Sequence, residues 1–143
     1  MKAEEMWQES GLKGAYEAWA FGVDADELGR LVRCGIKTAT ASACPLYEME
    51  GEELPRAGEY SVILDSLEDA VCIIRTTKVY VTPYRDVTAE QAWKEGEGDR
   101  SLFYWREVHE PFFRQEMAAA GLTFTEDMGV VCEEFQVIYP KED

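Results

Sequence analysis

Apolar positions along the chain follow two periods. Ala25, Leu28, Leu31 and Val32 recur at helical spacing. Asp24, with Glu27 three residues on, has the pattern of a capping box. Arg30 and Arg33 stand in the last turns, where cations offset the negative end of the helix dipole, and Gly35 offers the left-handed conformation that stops a helix. The pattern predicts a helix from about Ala25 to Cys34. After it comes an extended run of small and β-branched residues, Ile36-Lys37-Thr38-Ala39-Thr40-Ala41-Ser42. Tyr60–Leu64, Val71–Val81 and Val130–Tyr139 read as strands; the second holds Cys72-Ile73-Ile74 and then alternates through Thr77, Val79 and Val81. Gly51, Pro55 and Gly58 mark connecting turns. Thr88 and Gln91 form a second capping box, opening a short helix through Trp93.

Helical spacing returns between Ser101 and Ala120, through Leu102, Trp105, Val108 or His109, and Phe112. Pro111 removes a backbone donor and crowds the carbonyl of Glu107, which predicts a kink or two consecutive helices. Glu4 to Gly22 carries Trp7, Tyr16, Trp19 and Phe21 between glycines, and is expected to form a short helix, a loop and a second short helix lying on the body of the domain. Strands mixed with a few helices, without strict βαβ alternation, make the fold class α+β around a small, mostly antiparallel sheet or barrel.

Length and charge narrow the functional classes. At 143 residues the chain is expected to form a single domain, burying roughly 70% of its unfolded surface. The longest apolar run is Ala70–Ile74, too short to span a bilayer, and Met1–Trp7 lacks the hydrophobic stretch of a secretory signal, so a cytoplasmic location is expected. Lys and Arg number 14 against 29 Asp and Glu, a formal net charge of −15. Proteins that grip duplexes by displacing counterions present cationic faces, so duplex DNA is disfavoured as a partner while a nucleoside or short strand is not. Cys34, Cys44, Cys72 and Cys132 are scattered without C-x2-C spacing, and are read as small buried hydrophobes. His109 is the one histidine. Neither a metal nor another cofactor is expected.

Three polar groupings remain. In Gly35-Ile36-Lys37-Thr38-Ala39-Thr40, a strand that begins only at Thr38 lets Lys37 curl from the turn toward the face of Thr40. A lysine drawn out of water there can activate a hydroxyl or hold an oxyanion. Glu95-Gly96-Glu97-Gly98-Asp99-Arg100-Ser101 is an acidic turn in which Asp99 or Ser101 can cap the next helix. One of its carboxylates can also serve as an acid–base, and Arg100 can grip an anion or carbonyl. The third is Glu133-Glu134, one of which must point inward and find a partner, Arg75 or Lys78. That pair, and His109 beside Trp105 and Phe112, are read as structural.

The Gly35-x-Lys37-Thr38-x-Thr40 segment resembles the signature of ASCH domains, whose fold is a PUA-like β-barrel. Tyr16–Gly22, the Glu95–Ser101 run followed by Tyr104-Trp105, and Val131-Cys132-Glu133-Glu134-Phe135 resemble the longer bacterial ASCH proteins. The resemblance covers nearly the whole chain and implies a small PUA-like barrel flanked by helices, with residues 1–22 an aromatic-rich helical extension. It associates the chain with RNA or modified nucleosides. Small members hydrolyse the acetyl amide of N4-acetylcytidine, and longer ones act as ribonucleases. The amidohydrolase set implies Lys37, Thr40 and, in Ala92-Trp93-Lys94-Glu95, Glu95, with Glu97 a rival for the last place. In that reading Thr40 attacks the amide, Lys37 takes its proton or stabilises the oxyanion, and Glu95 protonates the departing amine. Trp19, Phe21 and Tyr104 are expected to stack on the base, with Thr38, Glu97, Arg100 and Ser101 completing the substrate site. The amidohydrolases tend to carry an arginine shortly after the second threonine, where this chain has Ala41-Ser42-Ala43. The alternatives are a ribonuclease for short single-stranded RNA and a non-catalytic RNA-binding module.

Overall fold

A computed structural model describes residues 1–141. The chain runs through α1 (Ala3–Ser10), β1 (Glu17–Ala20), α2 (Ala25–Arg33), β2 (Ala39–Ala43), α3 (Cys44–Glu50), β3 (Tyr60–Leu64) and β4 (Ala70–Pro83). A 3-10 turn (Tyr84–Asp86), α4 (Ala89–Glu95), α5 (Leu102–Ala119) and β5 (Gly129–Tyr139) complete it. The strands form one five-stranded sheet in the order β1-β3-β4-β5-β2, parallel only between β1 and β3, curved into a half-barrel. The expected α+β class is the one observed.

Two faces of this sheet have different fates. One is fully dressed: α1 seats Met6 and Trp7 on Val62 and Ile73, and α4 and α5 pack Ala92, Trp105, Phe113 and Met117 against Val130 and Cys132. The other is dressed only at one end, where Val32 of α2 meets Ile63, Cys72, Ile74 and Phe135, with Trp19 and Phe21 alongside. A register shift between Thr76 and Lys78 decides which β4 residues face which side. Before it Cys72 and Ile74 point to the α2 side, and after it Tyr80 joins the cluster under α4 and α5. An extra residue in one strand inverts the alternation, which is the physical content of a β-bulge.

Several local expectations yield to tertiary contacts. The second N-terminal helix is instead β1, because Glu17–Ala20 pairs in parallel with Ser61–Leu64 and Trp19 packs on the apolar cluster beneath. At α2, Asp24 is left-handed (φ 50°) and does not cap; Asp26 instead accepts hydrogen bonds from Ser66 N and Oγ, and Glu27 pairs with Arg30. Helix α3, with no apolar periodicity to announce it, carries Pro45 in its first turn and stops at left-handed Gly51. Of the two outcomes expected at Pro111, two consecutive helices are not formed: α5 continues through it, and both Pro111 and Glu107, whose carbonyl loses its donor, lie on the exposed face. Ser101 caps α5 through Tyr104 N, and Thr88 caps α4 through Gln91 N. Of the cysteines expected inside, Cys72 and Cys132 are buried, Cys44 is intermediate and Cys34 is exposed. No helix among the described residues is long and apolar enough to cross a membrane.

Candidate functional site

Strand β2 begins at Ala39, so Lys37 stays in the turn after α2. Its backbone is fixed there: Lys37 N donates to Leu31 O (3.0 Å), and Thr38 N donates to Lys94 O (2.7 Å). The side chain turns inward and is 1% exposed. Its Nζ lies 2.9 Å from Glu97 Oε2 and 3.5 Å from Glu95 Oε1, and donates to Glu95 O at 3.4 Å. An isolated ammonium at this depth would cost several kcal/mol or more, so the two carboxylates are a condition of its burial.

Two glycines bring those carboxylates within reach. Gly96 ends α4 at φ 73°, and a Cβ there would stand 2.5 Å from Ile36 O. Gly98, at φ 58°, lies against the Tyr104 ring, which a Cβ would meet at 2.5 Å. Arg100 then closes the turn. Its guanidinium stacks on Trp93 at 3.6 Å and donates to Trp93 O (2.9 Å) and Ile36 O (3.3 Å). The interleaved glycines of the acidic turn are thus set by backbone approach, and its arginine fastens the turn to the loop that carries Lys37.

Glu95 is 1% exposed and engaged at both oxygens. Oε2 accepts from Trp105 Nε1 (2.6 Å) and Gln91 Nε2 (3.2 Å), while Oε1 faces Lys37 and His109 Nε2, each at 3.5 Å. Burial alone would raise its pKa; the His109 hydrogen bond, the Lys37 charge and the Trp105 indole outweigh it and hold the carboxyl below its ordinary range. Gln91 also donates to Thr40 O (3.2 Å) and so ties this cluster to β2.

The undressed face of the sheet forms an open cleft of about 1100 Å³. Trp19, Phe21, Tyr16, Tyr47 and Tyr60 supply its aromatic wall, and Thr40, Ser42, Ser61, Thr76 and Glu133 its polar floor. Phe21 joins cleft to cluster, its ring centroid 5.4 Å from Lys37 Nζ. Five glutamates and one lysine, Lys13, make up the charged side chains of the lining. Glu133, whose expected cationic partner was Arg75 or Lys78, instead accepts a 3.4 Å hydrogen bond from Thr76 Oγ1. Burial, only partly offset by Thr76 and reinforced by Glu59 and Glu17, pushes its pKa up to about 6. Glu134, on the opposite face, meets Lys94 at 3.1 Å and Lys78 at 3.9 Å.

The structure therefore gathers Lys37, Glu95 and Glu97 into one cluster and sets Thr40, Trp19 and Phe21 on the adjoining cleft. Thr38 hydrogen-bonds Lys94 O, Ser101 caps α5, Tyr104 covers Gly98, and Arg100 serves the turn; none of these four lines the cleft. Sequence reasoning passed over the contact of His109 with Glu95, and read Glu133 as structural. The signal for Glu133 was a charge at an inward strand position. Among the described residues no three His, Cys, Asp or Glu side chains converge as metal ligands.

A family model for the ASCH domain matches residues 17–139, leaving outside it α1, the loop after it and the last four residues. A crystal structure of an ASCH domain from Lactobacillus crispatus JV V101 is 31% identical, with a TM-score of 0.90 over 95% of this chain and 93% of that one. Protein EF3133 from Enterococcus faecalis V583 is 39% identical, with a TM-score of 0.84 over 94% of this chain and 84% of that one. Hypothetical protein PH0355, at 14% identity and a TM-score of 0.57 over 86% of this chain and 98% of that one, shares the fold. No curated protein gives a significant match.

Two substitutions test this geometry. Gly96→Ala should lower the unfolding free energy by at least about 1–3 kcal/mol, measured by chemical denaturation, because left-handed strain and contact with Ile36 O arise together. Glu133→Gln should stabilise the fold at neutral pH. Its folded-state pKa lies above the ordinary 4.5, so the wild type is favoured by protonation below about 4.5 and loses that advantage as pH rises through 6. The penalty removed is about 2 kcal/mol, the equivalent of some 1.5 pH units. Thermal unfolding of both proteins should diverge above pH 6 and converge at acid pH.

Proposed function

This chain belongs to the ASCH domain family, a PUA-like family proposed to bind RNA, and on that premise we propose that it hydrolyses an acylated pyrimidine nucleoside, an N4-acetylcytidine-like amide. The observation that carries this reading is a buried lysine, held by two carboxylates, beside a hydroxyl-lined aromatic cleft. In it Thr40 Oγ1 attacks the acyl carbon. Lys37 acts through its charge, as the cation that stabilises the oxyanion. Glu95 and Glu97 hold that cation, and His109, Trp105 and Gln91 hold Glu95. Trp19 and Phe21 offer the base apolar and π surface.

The character of the lining favours an uncharged nucleoside over a strand. Five carboxylates repel a phosphate backbone, which needs the reverse sign to gain from counterion release. A ribonuclease or an RNA-binding module at this cleft would have to place phosphates among those glutamates.

The test is release of cytidine from N4-acetylcytidine, followed by chromatography. Wild type should turn over at a rate nearly independent of salt. Thr40→Ala, which leaves the buried cluster intact, should lower kcat at least about a thousandfold. Lys37→Ala should abolish turnover but also destabilise the fold by about 3–5 kcal/mol, since two buried carboxylates lose their cation. Absence of cytidine from the wild type, with a labelled short single-stranded RNA cleaved or retained instead, would overturn the reading.

A further inference from the structure

We propose that Glu133 is the proton shuttle of this site, the catalytic group that takes the Thr40 hydroxyl proton and delivers it to the departing amine. The inference rests on the amidohydrolase reading and gives its acid–base step to a residue outside the Lys37 cluster. The β2–β5 register sets Thr40 and Glu133 directly opposite each other. Opposed residues of an antiparallel pair share a face with Cβ atoms about 4.5–5.5 Å apart, and both of these line the cleft. A hydroxyl nucleophile and a carboxyl thus stand side by side at the floor of a cavity sized for a small molecule.

The other carboxylates are less suited. Glu95 lies outside the cleft lining, with both oxygens occupied, and Glu97 is committed to Lys37. Glu17, Glu52, Glu53 and Glu59 are solvent-exposed at the rim. Glu133 is half-buried and, among the described residues, forms no ion pair. The groups facing it from neighbouring elements are Thr40 and Ser42 of β2, Thr76 of β4, the Tyr47 hydroxyl of α3, and the carboxylates of Glu17 and Glu59. None is a cation. That environment keeps its proton exchangeable near pH 6, where a carboxyl can both accept and return a proton in neutral solution.

The steps balance. The Glu133 carboxylate accepts the Thr40 proton as Oγ1 bonds to the acyl carbon, and the carbonyl oxygen takes the negative charge. As the C–N bond breaks, the Glu133 acid gives that proton to nitrogen, releasing the nucleoside amine and leaving acyl-Thr40. Water then gives a proton to Glu133 while its oxygen bonds to the ester carbon. The same proton returns to the Thr40 oxygen as the C–O bond breaks and the carboxylic acid departs.

The starting state is the carboxylate, so kcat/KM for N4-acetylcytidine should fall as pH drops through about 6. Wild type, Thr40→Ala and Glu133→Gln are compared across about pH 4.5–8, with thermal unfolding as the folding control. Glu133→Gln should lower kcat about 10²–10⁴-fold with KM little changed, and its residual activity should lack the acid limb. A Glu133→Gln enzyme within about tenfold of wild type, keeping that limb, overturns the shuttle role while loss in Thr40→Ala leaves the amidohydrolase reading standing. A wild type that releases no cytidine overturns both.

Discussion

Neutralising one buried cation organises this end of the molecule. The Lys37 ammonium has left water almost completely, and such a charge is tolerated only with close counter-charges and hydrogen bonds. Its partners come from a helix end and a turn that start some sixty residues later, at Glu95 and Glu97. To reach Lys37, α4 must stop against the loop after α2, which requires Gly96 at its left-handed φ and near-contact with Ile36 O. The turn is then locked by Arg100 on Trp93, and α5 is positioned so that Trp105 and His109 complete the shell of Glu95. Removing Lys37 leaves the buried Glu95 carboxylate, and removing Glu97 leaves the buried ammonium, without its closest counter-charge.

The sheet contributes a second constraint. A half-barrel with helices on one face and a single short helix at one end of the other must leave concave surface open. Its floor carries Thr40, Ser42, Thr76 and Glu133 at positions where alternation alone would place apolar side chains. The bulge between Thr76 and Lys78 lets β4 serve both sides: Thr76 reaches Glu133, while Tyr80, after the shift, hydrogen-bonds Gln91 under α4. Cluster and cleft are separate environments, one saturated with hydrogen bonds and one in which a carboxyl is left short of them. The opposite directions of the Glu95 and Glu133 pKa shifts express that difference.

Much of the scaffold was legible because it is locally encoded. Tyr60–Leu64 matches β3 residue for residue, Val71–Val81 falls one residue short of β4 at its start and two at its end, and Val130–Tyr139 falls one short of β5 at its start. The caps at Thr88 and Ser101 follow from side-chain oxygens placed three residues before the donors they satisfy. Asp24 does not cap because its backbone is left-handed rather than extended, with Glu27 drawn to Arg30, and β1 was missed because its strand partner is β3, some forty residues away.

Sequence by itself determined the α+β class and the motifs that carry the family resemblance, because each rests on residue types at short spacing; Lys37 was joined to the acidic turn, some sixty residues on, only by what that resemblance implies. Only the tertiary structure decided which carboxylate does what. Glu95 and Glu97 differ from Glu133 through the side chains that surround them, and those arrive from α5, β2, β4 and β1. It likewise withdrew Arg100, Ser101, Thr38 and Tyr104 from the cleft, since a polar residue near a site in sequence can spend its hydrogen bonds or its packing on holding the backbone. A carboxyl's chemistry is set by desolvation and by neighbouring charge, and both are properties of long-range packing.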